Sequence, residues 1–214
     1  MLHERCVSKK LLALLQKLES GSVFKDFFLV GGTALALQIG HRKSVDIDLF
    51  SQNELCIPEI TKYLTQHHGG NYQVLNSQNM IYQVSIEGIK VDFVHHPFEL
   101  VELPYHDSQI TYLGTKDIAA MKLHAIETSG NRAKDFVDIF FLLKEMSLKT
   151  MFECYQKKYS TENIFNAKRS LGFFDDVPTE SWKELQIIDK KVSASLVKKT
   201  ILDAIQGFND IYIK

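Results

Sequence analysis

The chain has 214 residues, 45% of them hydrophobic, and 25 lysines and arginines against 26 aspartates and glutamates, a formal net charge of −1. That composition excludes a disordered or fibrous chain and argues against a broad nucleic-acid clamp, which depends on a strong basic excess. Residues 1–114 hold 9 basic and 12 acidic side chains and residues 115–214 hold 16 and 14. The second half is the better suited to phosphates, but solvated helix faces account for so small an asymmetry.

Three scattered cysteines, Cys6, Cys56 and Cys154, provide neither a disulfide framework nor the CxxC spacing of a zinc site and suit a reducing compartment. The longest apolar runs, such as "LLALL" and "DIFFLL", fall far short of the roughly 18 residues of a membrane span, and "MLHERCVSKK" lacks a signal-peptide core. A cytoplasmic protein away from the membrane is therefore expected.

In chain order, "SKKLLALLQKLES" has a serine start, apolar spacing of three and four and a glycine stop, which predicts a helix. "FFLV" then reads as a short buried strand, "GG" as a turn, and "TALALQIG" as a helix opened by Thr33 and closed by Gly40. "SVDIDLF" alternates and predicts a second strand, with Val45, Ile47 and Leu49 turned to the core and Asp46 and Asp48 sharing the other face. "IPEITKYLTQHHGG" predicts a helix, followed by strands at "NYQVLNS", "MIYQVSIE" and "IKVDFVHH", the last two joined by a tight turn at Glu87 and Gly88. From about residue 115 the pattern is helical. The expected fold is α+β: a mixed sheet flanked by helices over 1–114, then a helical region over 115–214, with one compact unit as the alternative.

The acids carry the chemistry. Two carboxylates held on one strand face repel each other, a cost a hard cation with oxygen ligands would offset. A polar face on a half-exposed strand accounts for the pair equally simply. Gly31 and Gly32 stand between strand and helix, where a missing Cβ lets backbone amides approach an anion. Thr33 either caps that helix or turns its hydroxyl to a phosphate. A phosphate-cradling turn beside a cation-binding strand matches what nucleotidyl transfer needs. A third acid is then expected from a neighbouring strand, and "GIKVDFVHH" offers Asp92 on the face opposite Ile89, Val91 and Phe93. Lys122 is the only formal charge between Ile118 and Ile126, so it must snorkel out, meet a phosphate, or pair with an acid such as Asp138. Lys134 and Asp138, four apart, also fit a surface pair, and Arg132 reads as support.

None of the histidines sits in a metal-ligand spacing. His67 and His68 suit a helix C-terminus, and His95 and His96 follow the Asp92 strand. The aromatic stretches "FFLLKEM" and "SLGFFDD" read as core.

Taken in order, "LVGGTALALQIGHRKSVDIDLF", "IKVDFV" and "DIAAMKLHAIETSGNRAKDFVDIFFLL" resemble the motifs of the AbiEii/AbiGii toxin family of nucleotidyltransferases, within the DNA polymerase beta-like nucleotidyltransferase fold. The resemblance covers roughly residues 27–143. It implies that Gly31, Gly32 and Thr33 grip the nucleotide, that Arg42 and Ser44 belong to the polar approach to the acids, and that Asp46, Asp48 and Asp92 ligate Mg²⁺ (Mn²⁺ as a substitute). It further implies that Lys122, Asp135 and Asp138 complete the nucleotide site. Asp46, Asp48, Asp92 and Lys122 are then the catalytic set. The interval from Lys122 to the acids is slightly longer than in the family pattern, which leaves open whether Asp135 or Asp138 is equivalent. The implied activity moves a nucleoside monophosphate from a nucleoside triphosphate to an acceptor hydroxyl, on RNA such as the tRNA 3′ end, by a toxin of a toxin-antitoxin or phage-defence system with a cognate antitoxin. Many members carry a longer C-terminal half than a sequence ending at Lys214, which implies reduced RNA contacts. The alternatives are a nucleotide-binding sensor or partner-binding module without transfer, and transfer to a small molecule or protein.

Overall fold

The computed structural model of the protein describes residues 2–78 and 80–212. Two compact units divide the chain. The first comprises Met1–Gly40, Ser44–Phe98 and Leu103–Gly114, and the second His41–Lys43, Glu99–Glu102 and Thr115–Lys214.

In the first unit, helix α1 (Lys9–Glu19) starts where Ser8 accepts a hydrogen bond from the Leu11 amide at 3.0 Å, and it buries Leu11, Leu14, Leu15 and Leu18. The chain continues through β1 (Phe27–Val30), α2 (Gly31–Ile39), β2 (Ile47–Ser51), α3 (Ile57–His68), β3 (Tyr72–Gln78), β4 (Ile81–Ile86), β5 (Ile89–His95), β6 (Tyr105–Asp107) and β7 (Ile110–Tyr112). The strands form one sheet in the order β3-β4-β5-β2-β1-β7-β6. It is mixed: β2 runs parallel to β5 and β1 parallel to β7, while the other neighbours are antiparallel. The core of this unit gathers around Phe24, whose ring stacks on Phe93 at 5.1 Å and meets Tyr63 edge-on at 5.0 Å. Glu87 and Gly88, both at positive φ (52° and 84°), make the expected two-residue hairpin turn.

Three local expectations are corrected. Helix α2 begins at Gly31, so Thr33 lies inside it and does not cap it. Strand β2 begins at Ile47, so only Asp48 of the acid pair lies in the ladder, and Val45 is 70% exposed instead of turning to the core. Alternation in sequence ran past the point where pairing begins. Strands β6 and β7, three residues each, had no counterpart in the sequence pattern.

The second unit contains α4 (Thr115–Thr128), α5 (Ala133–Leu142), α6 (Leu148–Tyr159), α7 (Phe165–Leu171), α8 (Thr179–Lys183) and α9 (Ala194–Tyr212). Its short entering segment, residues 41–43, pairs with residues 186–188: Lys43 N–H donates to Gln186 O and Ile188 N–H to His41 O, each at 2.9 Å. Asp117, near the start of α4, is fully buried against Lys158 at 2.7 Å and also accepts hydrogen bonds from the Val101 and Glu102 amides. Buried charges persist only when so satisfied. Of the aromatic stretches read as core, Phe140 and Phe174 are buried but Phe173 is 48% exposed. Among the described residues, no helix is long and apolar enough to cross a membrane.

Candidate active site

The sheet order brings the acids of the first unit together. Strands β2 and β5 lie side by side and parallel, with Asp48 directly opposite Asp92. On its other side Asp92 faces Gln83 of β4. Asp46, just before β2, and Asp48 are half-buried, whereas Asp92 is buried at 8% exposure. Lys90 donates to Asp92 Oδ2 at 2.6 Å and Gln83 Nε2 donates to the same oxygen at 3.1 Å. Asp92 Oδ1 is buried and has no hydrogen-bond partner. Among the described residues, no three Asp, Glu, His or Cys side chains converge closely enough to cage a metal by themselves.

The glycine pair sits against these acids. Gly31 opens α2 with φ +67°, a backbone conformation that disfavours any side chain, and a Cβ there would fall 2.2 Å from Asp48 Oδ2. Asp48 therefore lies on the helix N-terminus itself, where the dipole and the first amides favour negative charge. Val30, the residue before the helix, supplies no side-chain cap of its own. Gly32 is buried. Thr33, also buried, donates its hydroxyl hydrogen to the Asp46 carbonyl and lies 2.8 Å from Ser44 Oγ. It ties α2 to the segment that leads into the acids.

The remaining sequence-predicted residues gather in the second unit as a buried charge cluster. Asp138, 0% exposed, receives Arg42 Nε on Oδ1 at 2.7 Å and Lys122 Nζ on Oδ2 at 2.7 Å. Arg42 is bidentate, with a second nitrogen 3.0 Å from Asp138 Oδ2. His41 Nε2 lies 2.8 Å from Asp138 Oδ1. Lys122 also meets Asp135 Oδ1 at 2.6 Å, and Asp135 Oδ2 takes Arg132 Nε at 2.8 Å. Burial opposes ionisation of Asp138, yet Arg42 and Lys122 outweigh it and hold the carboxyl well below its ordinary range. Burial likewise pulls against the Lys122 ammonium, but Asp135 and Asp138 raise its pKa. His41 is pushed down by burial, against the pull of Asp138. The surface pair of Lys134 with Asp138 is corrected, because Asp138 is buried beneath Arg42, Lys122 and His41.

Sequence reasoning passed over His41, Gln83 and the pairing of Lys90 with Asp92. Only Lys90 left a signal, its spacing of two from Asp92 on one strand. His95 and His96 stand at the far end of β5, where His96 packs on Phe50 and Phe98 at 5.1 and 4.7 Å.

The family model of the AbiEii nucleotidyl transferase toxins, of type IV toxin-antitoxin systems, matches residues 12–193. A protein of Aquifex aeolicus known as aq_aa25, itself uncharacterised, is 31% identical over 188 residues, spanning 85% of this chain and 90% of its own. Among solved structures, the nucleotidyltransferase toxin MenT4 of Mycobacterium tuberculosis superposes with a TM-score of 0.60 at 14% identity, over 91% of this chain and 80% of that one. JHP933 of Helicobacter pylori gives 0.57 at 12% identity over 96% of both chains. Those structural likenesses bear on the fold, a nucleotidyltransferase sheet with flanking helices.

Proposed function

The chain belongs to the AbiEii nucleotidyltransferase toxin family, and from that premise we propose that it transfers a nucleoside monophosphate from a nucleoside triphosphate to a hydroxyl of RNA, with the tRNA 3′ end as acceptor and Mg²⁺ as cofactor. The family carries the nucleotidyltransferase activity, the triphosphate substrate and a cognate antitoxin; the acceptor and the cation are our reading. The observation that supports it most is the juxtaposition of Asp48 and Asp92 on adjacent parallel strands, with the start of α2 at Gly31 against the Asp48 carboxylate.

The donor chemistry fits a hard cation. Asp46, Asp48 and Asp92 offer oxygen only, and Mg²⁺ takes one or two carboxylates and completes its shell with water and substrate phosphates, so a closed protein cage is not required. When bound, the cation supplies charge neutralisation at the phosphates. The chain's own residues do the rest. Asp46 and Asp48 hold the cation side of the site, the amides of Gly31 and Gly32 face phosphate oxygens, and Thr33 with Ser44 fixes the backbone between them. Asp92 orients the acceptor hydroxyl and takes its proton. In the second unit, Arg42, Lys122 and Arg132 outnumber Asp135 and Asp138 by one charge. Lys122 has three donors and spends two on carboxylates, which leaves one for a phosphate oxygen.

A second reading, a nucleotide-binding module without transfer, draws on the carboxylate pairing that Arg42 and Lys122 already have. Incubation with each labelled triphosphate, Mg²⁺ and total RNA separates the two. Label on tRNA supports transfer. Tight triphosphate binding with no labelled RNA, protein or small molecule favours the module.

A further inference from the structure

We propose that the two oxygens of Asp92 have separate duties: Oδ2 is an anchor held by Lys90 and Gln83, and Oδ1 is the oxygen that meets the acceptor hydroxyl. Lys90 and Gln83 are then positioning residues for transfer. The inference rests on the transfer reading above and on Asp92 as the acid on the acceptor side.

The strand geometry builds this arrangement. Lys90 and Asp92 are two residues apart on β5 and so share a face, and the antiparallel register sets Gln83 directly opposite Asp92. Both donors reach the same oxygen, at 2.6 and 3.1 Å. Two donors on one oxygen fix the plane of the carboxylate and stop it exchanging its oxygens by rotation. The other oxygen is buried without a partner, a costly state for an anionic acceptor and one that calls for an explanation. A substrate hydroxyl supplies the missing donor. In the step itself the acceptor O–H proton passes to Oδ1 while the acceptor oxygen bonds to the α-phosphorus. The bond from that phosphorus to its bridging oxygen breaks, and pyrophosphate leaves with the electron pair. A carboxylate already aimed has no orientational freedom to lose at that moment. The Lys90 side chain is 43% exposed, so an ordinary surface pair would contribute little to the fold, and its replacement leaves a protein that can be assayed.

The test uses the full chain with Lys90→Met, Lys90→Arg, Gln83→Leu and Asp92→Asn. Transfer from labelled triphosphate to RNA gives kcat and KM, calorimetry gives triphosphate affinity, and thermal melting reports the fold. Lys90→Met is expected to lower kcat by about tenfold or more while triphosphate affinity and melting stay near wild type, Lys90→Arg restores most of the rate, and Gln83→Leu gives a smaller loss in kcat. The inference falls if Lys90→Met keeps its kcat, if its loss lies in triphosphate binding or melting, or if Lys90→Arg is as slow as Lys90→Met. Those failures leave the transfer reading intact provided Asp92→Asn is inactive. A wild type that labels no RNA, or an Asp92→Asn variant as fast as wild type, overturns both.

Discussion

The acids of the sheet and the acids of the helical unit are the same side chain in opposite circumstances. Asp46 and Asp48 are half-exposed at the mouth of a strand, and Asp92 keeps one oxygen without a hydrogen bond. Asp138 has no exposure at all and is met by a bidentate arginine, a lysine and a histidine. The difference separates carboxylates of the sheet, two of them half-buried and the third with an oxygen to spare, from a carboxylate fully enclosed by its own charged partners. The first kind can be neutralised with little cost to the fold. The second cannot, since removing one partner leaves the others buried and charged.

The largest expected effect breaks the comparison on the side of the sheet. Asp48→Asn and Asp92→Asn should each lower transfer by about 10²–10⁴-fold with melting temperature nearly unchanged. Transfer assays and thermal melts on the same samples check it. A variant that melts far below wild type would put these acids in the same class as Asp138.

The mirror experiment is Asp138→Ala. It strands Arg42 and Lys122 without their shared carboxylate, at a cost of about 3–5 kcal/mol, which for a chain of this size corresponds to a fall in Tm of roughly 6–20 °C. Because its carboxyl is held below the ordinary range, Asp138 stabilises the fold above the unfolded carboxyl pKa of about 4. That contribution is lost as pH falls through the lower folded value. Acid titration followed by circular dichroism should therefore find the wild type losing stability below about pH 4 more steeply than Asp138→Ala.

These two acid sets were not equally legible. The strands β1, β2 and β5 announce themselves by alternation and short apolar runs, so the placement of Asp48 opposite Asp92 could be expected once the strands were taken as neighbours. The environment of Asp138 could be expected only in part. Its pairing with Lys122 was among the readings of the sequence and is present at 2.7 Å, but its arginine and histidine lie 96 and 97 residues away in sequence, and Lys134, four residues earlier, pointed to the surface. Strands β6 and β7 are too short for alternation to show, and the Tyr105-His106-Asp107 run has no apolar face. Val45 was misplaced because a pattern of alternating residues does not mark where backbone pairing starts.

A smaller effect sharpens the comparison at the junction of turn and acid. Gly31→Ala imposes a side chain on φ +67° and drives a Cβ to within 2.2 Å of Asp48 Oδ2, so the carboxylate must move. The backbone strain alone costs about 1–3 kcal/mol. Triphosphate affinity measured by calorimetry should fall along with stability, whereas Gly70→Ala, where nothing lies within 4 Å, should leave affinity unchanged. Equal affinity in Gly31→Ala and wild type would make the glycine a requirement of folding only.

The smallest effect concerns an acid that belongs to neither set. Glu19, at the end of α1, is pushed up from 4.5 to about 7 by burial, opposed by hydrogen bonds from Thr111, and its Oε1 has no partner. Here the shift has the opposite sign to that of Asp138. A carboxyl with a raised folded pKa binds more protons folded than unfolded between those two values, so stability falls as pH rises through that window and is level above it. Part of the side chain reaches solvent, which screens the effect and keeps it modest. Glu19→Gln removes the titration while retaining the shape. Its melting temperature should match or fall slightly below that of the wild type near pH 4.5 and exceed it by pH 8. Thermal melts across that range decide the matter, and parallel curves for the two proteins would show that Glu19 ionises as freely in the fold as in the unfolded chain.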